Sequence, residues 1–212
     1  HLICMGSDKE KMTASLDELF AAGIQNVLAL RGDRSPYRAP SADFPHASDL
    51  AAFIRGQYGS FGISGACYPE GHVEAANKTE DILHLKEKVD AGCEFLTTQM
   101  FFDNNMLYNF LYRIREAGID VPVLPGIMPI TNRKQVARSV ALSGSTVPQR
   151  FRMMVDRFGD DPAKMKQAGV IYATEQIIDL ISNGVTHIHV YSMNKPDIAA
   201  GIMQSLDAIW DH

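Results

Sequence analysis

Residues able to do chemistry gather just after short apolar runs in this chain. Arg31-Gly32-Asp33 follows Val27-Leu28-Ala29-Leu30. Glycine lets backbone approach a ligand closely. Arginine suits a bidentate phosphate contact, and aspartate accepts hydrogen bonds from the N–H groups of a heterocycle. The plainer alternative is a salt-bridged loop, and the motif alone is weak. Tyr68-Pro69-Glu70-Gly71-His72 follows another apolar run. Tyr68 could stack on a flat ligand, and His72 could meet a phosphate or ribose; a structural role weighs about evenly against this. Gln99 sits beside Phe101 and Phe102, where an amide can orient a flat, hydrogen-bonding molecule or simply be a satisfied core glutamine. Asp81, His84 and Lys88 fall at i, i+3 and i+7 and share one helix face; from spacing alone, a solvated charged stripe is favoured. His187 and His189 alternate as metal ligands can, but lack a carboxylate partner and read as structural.

No GxSxG, phosphate-binding loop or HExxH motif occurs, so covalent and metal chemistry have no sequence support. A bound organic cofactor would supply the missing reactivity. The net charge is −5 and no Lys/Arg stripe forms, which argues against a nucleic-acid partner. No apolar run approaches a membrane span. Cys4, Cys67 and Cys93 are widely spaced, each within an apolar run. They read as buried reduced thiols of a cytoplasmic protein.

The elements that would hold these residues follow one repeated grammar. A helix-like stretch ends in glycine and a short apolar run comes next. Gly23 precedes Val27–Leu30, Gly92 precedes Phe95–Thr98, Gly118 precedes Val121–Leu124, and Gly184 precedes His187–Tyr191. Glycine is preferred just past a helix end, and a short apolar run reads as a strand buried on both faces. Repeated, this is the signature of a parallel sheet. Strands are expected over 1–5, 26–31, 62–68, 95–101, 121–128 and 187–192. Ser7-Asp8-Lys9-Glu10 has capping-box spacing ahead of a helix, Thr79-Glu80-Asp81 precedes another, and Asp103 can cap a third. Residues 148–183 read as helix broken near Gly159-Asp160-Asp161-Pro162.

No low-complexity linker divides the chain, so residues 1–212 are expected to form a single domain. Successive βα units fit an open doubly wound sheet or a (β/α)8 barrel short of two units. No GxGxxG follows the first strand, and polar residues cluster at nearly every strand's carboxyl end, where a barrel builds its site. The expected class is therefore α/β, a (β/α)8 TIM barrel.

Seven phrases carry a resemblance. They are His1–Cys4, Asn26–Asp33, Tyr68–Ala75, Leu85–Gly92, Thr98–Asp103, Pro125–Ile130 and Tyr191–Asn194. In this order they resemble the methylenetetrahydrofolate reductase family, and they span nearly the whole chain. The resemblance implies a barrel domain that holds FAD noncovalently. It implies hydride transfer from NADH or NADPH to FAD, then from reduced flavin to 5,10-methylenetetrahydrofolate, giving 5-methyltetrahydrofolate. Carried over residue by residue, cofactor contacts fall on His1, Arg31, Gly32, Asp33, Ala47, Tyr68, His72, Ala75, Asp81, His84 and Lys88. Asp33 and Gln99 take the catalytic positions: Asp33 near flavin and pterin, Gln99 bonding pterin or nicotinamide. Gln135 and Lys195 join Gln99 in contacting substrate. The implied partners are a small folate substrate and further copies of the chain, with no nucleic acid or membrane.

The chain also departs from the family pattern. Lys195 stands where arginine is usual, which keeps charge but loses the fork. His84 and Glu87 replace an Asn and an Arg, and Ser139 stands where an apolar residue often packs on nicotinamide. The family's first two βα units, with a Phe-Glu-Phe-Phe-Pro-Pro-like strand carrying the general acid, are not in this sequence. The barrel is thus expected to lack them here, with roughly 80–90 further residues ahead of His1 in the natural protein. Two alternatives stand beside the reductase: a noncatalytic flavin- or folate-binding fragment, and another pterin-dependent barrel enzyme such as a methyl transferase.

Overall fold

The computed structural model describes residues 1–34 and 40–210. In chain order the elements are β1 (Leu2–Ile3), α1 (Lys9–Ala21), β2 (Asn26–Leu30), α2 (Ala47–Gln57), β3 (Gly62–Cys67), α3 (Lys78–Asp90), β4 (Phe95–Thr98), α4 (Asn104–Glu116), β5 (Val123–Leu124), β6 (Gly126–Ile127), α5 (Arg133–Ser143), α6 (Gln149–Phe158), α7 (Pro162–Ser182), β7 (His189–Val190) and α8 (Pro196–Leu206). This is an α/β fold with parallel strand pairing. Among the described residues no helix is long and apolar enough to cross a membrane. Two compact units make up the chain. One comprises His1–Cys67, Thr79–Thr97 and Ile114–Val123; the other comprises Tyr68–Lys78, Thr98–Arg113 and Leu124–His212.

The first unit carries a sheet in the order β1-β2-β3-β4-β5. Leu2 pairs with Ala29, and Val27 pairs with Ile63. Leu16, Ala29, Leu50, Ile54 and Ile63 are wholly buried in its core. The helix-ending glycines expected from the repeated grammar, Gly23, Gly92, Gly118 and Gly184, have φ of +77°, +120°, +73° and +82°. That left-handed turn is what lets each chain segment double back into the next strand. The cap of α1 is Asp8, one residue beyond the Ser7 that the capping-box spacing suggests. Its carboxylate accepts from the Lys11 N–H at 2.9 Å, while the Ser7 carbonyl accepts from the Ser41 hydroxyl.

In the second unit β6 pairs with β7, Gly126 opposite His189. The strand expected over 121–128 is two strands, because Pro125 has no N–H to continue a ladder. Its carbonyl still accepts from the His189 N–H at 2.9 Å, so the residue serves β7. The break in 148–183 falls where expected. Asp161 caps α7 by accepting from the Ala163 and Lys164 N–H groups, and Pro162 opens the helix. A core of Met100, Phe102, Ile130, Phe151, Val155 and Met165 packs here, with the Phe102 and Phe151 rings stacked at 4.6 Å. Helix α7 meets the segment after β6 backbone to backbone: a Cβ on Gly169 would run into the Ile130 carbonyl oxygen. A polar latch ties the start of α4 to α7. Asn104 donates to the Gln176 carbonyl at 3.0 Å and to the Asp179 carboxylate at 2.6 Å, and the Tyr108 hydroxyl donates to that carboxylate at 2.7 Å.

Candidate active site

In the first unit, the β1–β2 ladder runs past the strands, with the Met5 N–H donating to the Arg31 carbonyl at 2.8 Å. Gly32 follows at φ +90°, and a Cβ there would lie 2.5 Å from Ile3 Cγ2 and 3.2 Å from Met5 Cβ. Only glycine fits this turn. It brings Arg31, half-buried, with its Nε donating to the Gly32 carbonyl at 3.1 Å, and it delivers Asp33 to the surface. His1 is exposed just ahead of β1, and Ala47 is the first residue of α2.

The three charged residues singled out on one helix all lie on α3. His84 is exposed and Asp81 half-buried. Lys88 turns inward, and its ammonium donates to the Ala66 carbonyl at 2.6 Å. Burial holds its pKa below the usual lysine range, with Asp81 and the thiols of Cys67 and Cys93 acting the other way. Those thiols are pushed up by burial, Cys67 to about 12 and Cys93 to about 11, against the pull of Lys88. The first unit therefore holds a half-buried lysine whose ammonium turns inward, with Asp81 as its carboxylate neighbour.

In the second unit, the loop after β3 folds on itself. The Gly71 N–H donates to the Tyr68 carbonyl and the Ala75 N–H to the His72 carbonyl, both at 3.0 Å. The Tyr68 and His72 rings meet edge to face at 4.6 Å. His72 Nδ1 accepts from the Glu74 N–H at 3.0 Å. This fixes the neutral ring's proton on Nε2, leaving that atom a donor. Glu70 accepts the Thr146 N–H at 2.9 Å through Oε2, which ties this loop to the segment after α5.

Gln99 follows β4 and is half-buried; its Oε1 accepts from the Met100 N–H at 2.9 Å. With the oxygen engaged, the amide presents its NH2 end. Gln135 is arranged alike. It is the third residue of α5, and its Oε1 accepts from the Thr131 N–H at 2.8 Å, the Asn132 N–H at 3.2 Å and the Thr131 hydroxyl at 3.1 Å. Asn132 completes a capping box by accepting from the Gln135 N–H. Lys195 caps α8, and its ammonium donates to the Thr131 hydroxyl at 3.1 Å. Sequence reading picked out Gln135 and Lys195 but missed Thr131, which joins them. The Asn132-to-Gln135 spacing was the signal available.

In the first unit α3, which follows β3, thus supplies the half-buried Lys88 ammonium; in the second, the residues after β3, β4, β6 and β7 supply a histidine donor, two amide donors and a second cation. Each unit's donors by themselves suit a ligand rich in acceptors or negative charge. The sequence model described as methylenetetrahydrofolate reductase matches residues 1–207. The chain belongs to the methylenetetrahydrofolate reductase family. It is 35% identical to methylenetetrahydrofolate reductase (NADH) 1 of Arabidopsis thaliana, over 99% of this chain and 38% of that protein. It is 34% identical to the 5,10-methylenetetrahydrofolate reductase of Escherichia coli strain K12, over 97% of this chain and 69% of that protein. The chain therefore spans well under half the length of the plant relative. Among solved structures, an uncharacterized protein from Clostridium thermocellum that binds two copies of 5-methyl-5,6,7,8-tetrahydrofolic acid superposes with a TM-score of 0.52. It is 19% identical and matches over 79% of this chain and 61% of its own, a likeness of fold.

Two departures from the methylenetetrahydrofolate reductase pattern gain a physical description. Glu87 is exposed on α3. Ser139 is buried, its hydroxyl donating to the Met128 sulfur at 3.6 Å.

Proposed function

We propose that the protein reduces 5,10-methylenetetrahydrofolate to 5-methyltetrahydrofolate with NADH or NADPH, using noncovalently bound FAD. The family match over residues 1–207 carries this reading. In it, the parallel strands are part of a (β/α)8 barrel with its site at the strand carboxyl ends.

The donor set fits a flavin dinucleotide. An ammonium inside the protein is costly unless an anion meets it, and the pyrophosphate of FAD is such an anion. Lys88 would hold the pyrophosphate, and His72 would donate from Nε2 to phosphate or ribose. Arg31, Gly32, Tyr68, Ala47, Ala75, Asp81, His1 and His84 would complete the contacts. The chemistry FAD supplies when bound is two-electron hydride exchange, first with the nicotinamide and then with the folate. The chain's residues bind and orient. Gln99 donates its NH2 to an acceptor on the pterin or nicotinamide. Asp33 places a negative charge that favours a cationic iminium form of the substrate. Lys195 and Gln135 present donors to substrate acceptors.

The test is the visible spectrum of the purified full-length protein, with denaturation to identify any chromophore. A flavin spectrum that releases FAD, bleached by NADH or NADPH without oxygen and restored by 5,10-methylenetetrahydrofolate, is the expected result. A colourless protein that still binds folate would overturn it in favour of a flavin-free pterin enzyme.

A further inference from the structure

We propose that Thr131 is a positioning residue that aims Lys195 at the substrate. This rests on the reading above in which Lys195 contacts substrate.

Thr131 is 7% exposed, and its hydroxyl has a single proton. The Gln135 oxygen lies 3.1 Å away and can only accept, so that proton goes to Gln135. The lone pairs of the hydroxyl are thereby turned to the Lys195 ammonium at 3.1 Å. Gln135 is itself held by two backbone N–H groups, so the chain of bonds has a fixed origin. Thr131 is anchored from behind as well, because α7 approaches the neighbouring Ile130 carbonyl so closely that only Gly169 fits.

Lys195 is constrained from its own side. Met193 and Asn194 both have left-handed backbone, φ +53° and +58°. Two successive residues other than glycine in that region are strained. They close a turn in which the Lys195 N–H donates to the Ser192 carbonyl at 3.1 Å. Strand β7 delivers this turn beside the segment that β6 delivers, since the two strands pair in parallel. A lysine otherwise has four rotatable bonds and a high ordering entropy. Here one of its three N–H donors is used to fix direction, and the other two remain to be offered to an acceptor on the substrate.

The test is steady-state kinetics on the full-length protein for Thr131→Val, Thr131→Ser, Lys195→Met and Thr131→Val/Lys195→Met. Thr131→Val is expected to raise KM for 5,10-methylenetetrahydrofolate about tenfold, the scale of one hydrogen bond to a charged group. Its kcat and FAD content should stay within about twofold, and Thr131→Ser should restore KM. The double variant should be no worse than Lys195→Met, because the two residues act as a unit. Multiplying losses in the double variant, or an unchanged KM in Thr131→Val while Lys195→Met raises it, would overturn the role of Thr131. An unchanged KM in Lys195→Met would instead refute the underlying reading of Lys195. If Thr131→Val does not fold, Asn194→Gly and Asn194→Val serve. Glycine should keep KM and valine raise it, because the turn aims Lys195 from its own side; Thr131→Ala should raise KM as valine does at 131, and an unchanged KM in Thr131→Ala would overturn the proposal.

Discussion

Gly65 and Lys88 occupy one space: a Cβ on Gly65 would lie 2.7 Å from Lys88 Cδ and 3.1 Å from Cys93 Sγ. The missing side chain on β3 is the channel through which the lysine stem reaches the Ala66 carbonyl. Gly65→Ala should therefore push the ammonium out of place. We expect a loss of about 1–3 kcal/mol in urea unfolding, typical of overpacking, together with weakened FAD retention. Unchanged stability and cofactor content would show that the stem has another route.

The buried ammonium also makes stability depend on pH in a specified direction. Burial lowers the folded pKa of Lys88 below its ordinary value. Between those two values the unfolded chain binds more protons than the folded one, so folding is favoured as pH rises. That contribution is fully present above the ordinary lysine range and fades as pH falls through the folded value. In FAD-free protein, the stability of wild type relative to Lys88→Met should climb from pH 7 to pH 10. A flat difference in chemical denaturation across that range would contradict it.

The same substitution should act oppositely at two helical glycines. Gly169 in α7 abuts the Ile130 carbonyl, so Gly169→Ala should destabilise by about 1–3 kcal/mol. Gly56 in α2 is exposed and faces open space, so Gly56→Ala should stabilise by about 0.5–1 kcal/mol through lower unfolded-chain entropy. Thermal unfolding of both variants checks the pair. A stable Gly169→Ala would mean that α7 can slide from the segment after β6.

Gln99 offers its NH2 end because its oxygen is held by the Met100 N–H. Gln99→Leu should slow folate turnover about tenfold or more, the scale of a lost ligand hydrogen bond, and leave FAD bound. Loss of FAD instead would make the residue a structural support.

The parts of the fold that were legible in the sequence depend on short-range physics. Gly23, Gly92, Gly118 and Gly184 announce helix ends because a left-handed residue is needed within a turn of each. The break at Asp161-Pro162 follows from local capping. Where neighbours compete, local spacing leaves alternatives: Ser7 and Asp8 could each cap α1, and the helix takes Asp8, whose carboxylate accepts from the Lys11 N–H. Pro125 sat inside an apolar run, and its missing N–H divides what composition alone makes one strand. The proposed site residues rest on motif resemblance, and the bonds that arrange them leave no mark in those motifs. The bond between Thr131 and Lys195 spans 64 positions, and the inward turn of Lys88 depends on the absence of a side chain at Gly65. Neither leaves a periodic trace.

The three buried thiols have a practical consequence. Cys4, Cys67 and Cys93 are each no more than 3% exposed, and burial raises all three above the usual cysteine range. A thiol must ionise and be reached before it reacts. A single cysteine placed at exposed Tyr112 or Met203 would then be the one position in the folded chain that a maleimide dye finds. A fluorophore could be put at a chosen spot with the native cysteines left in place.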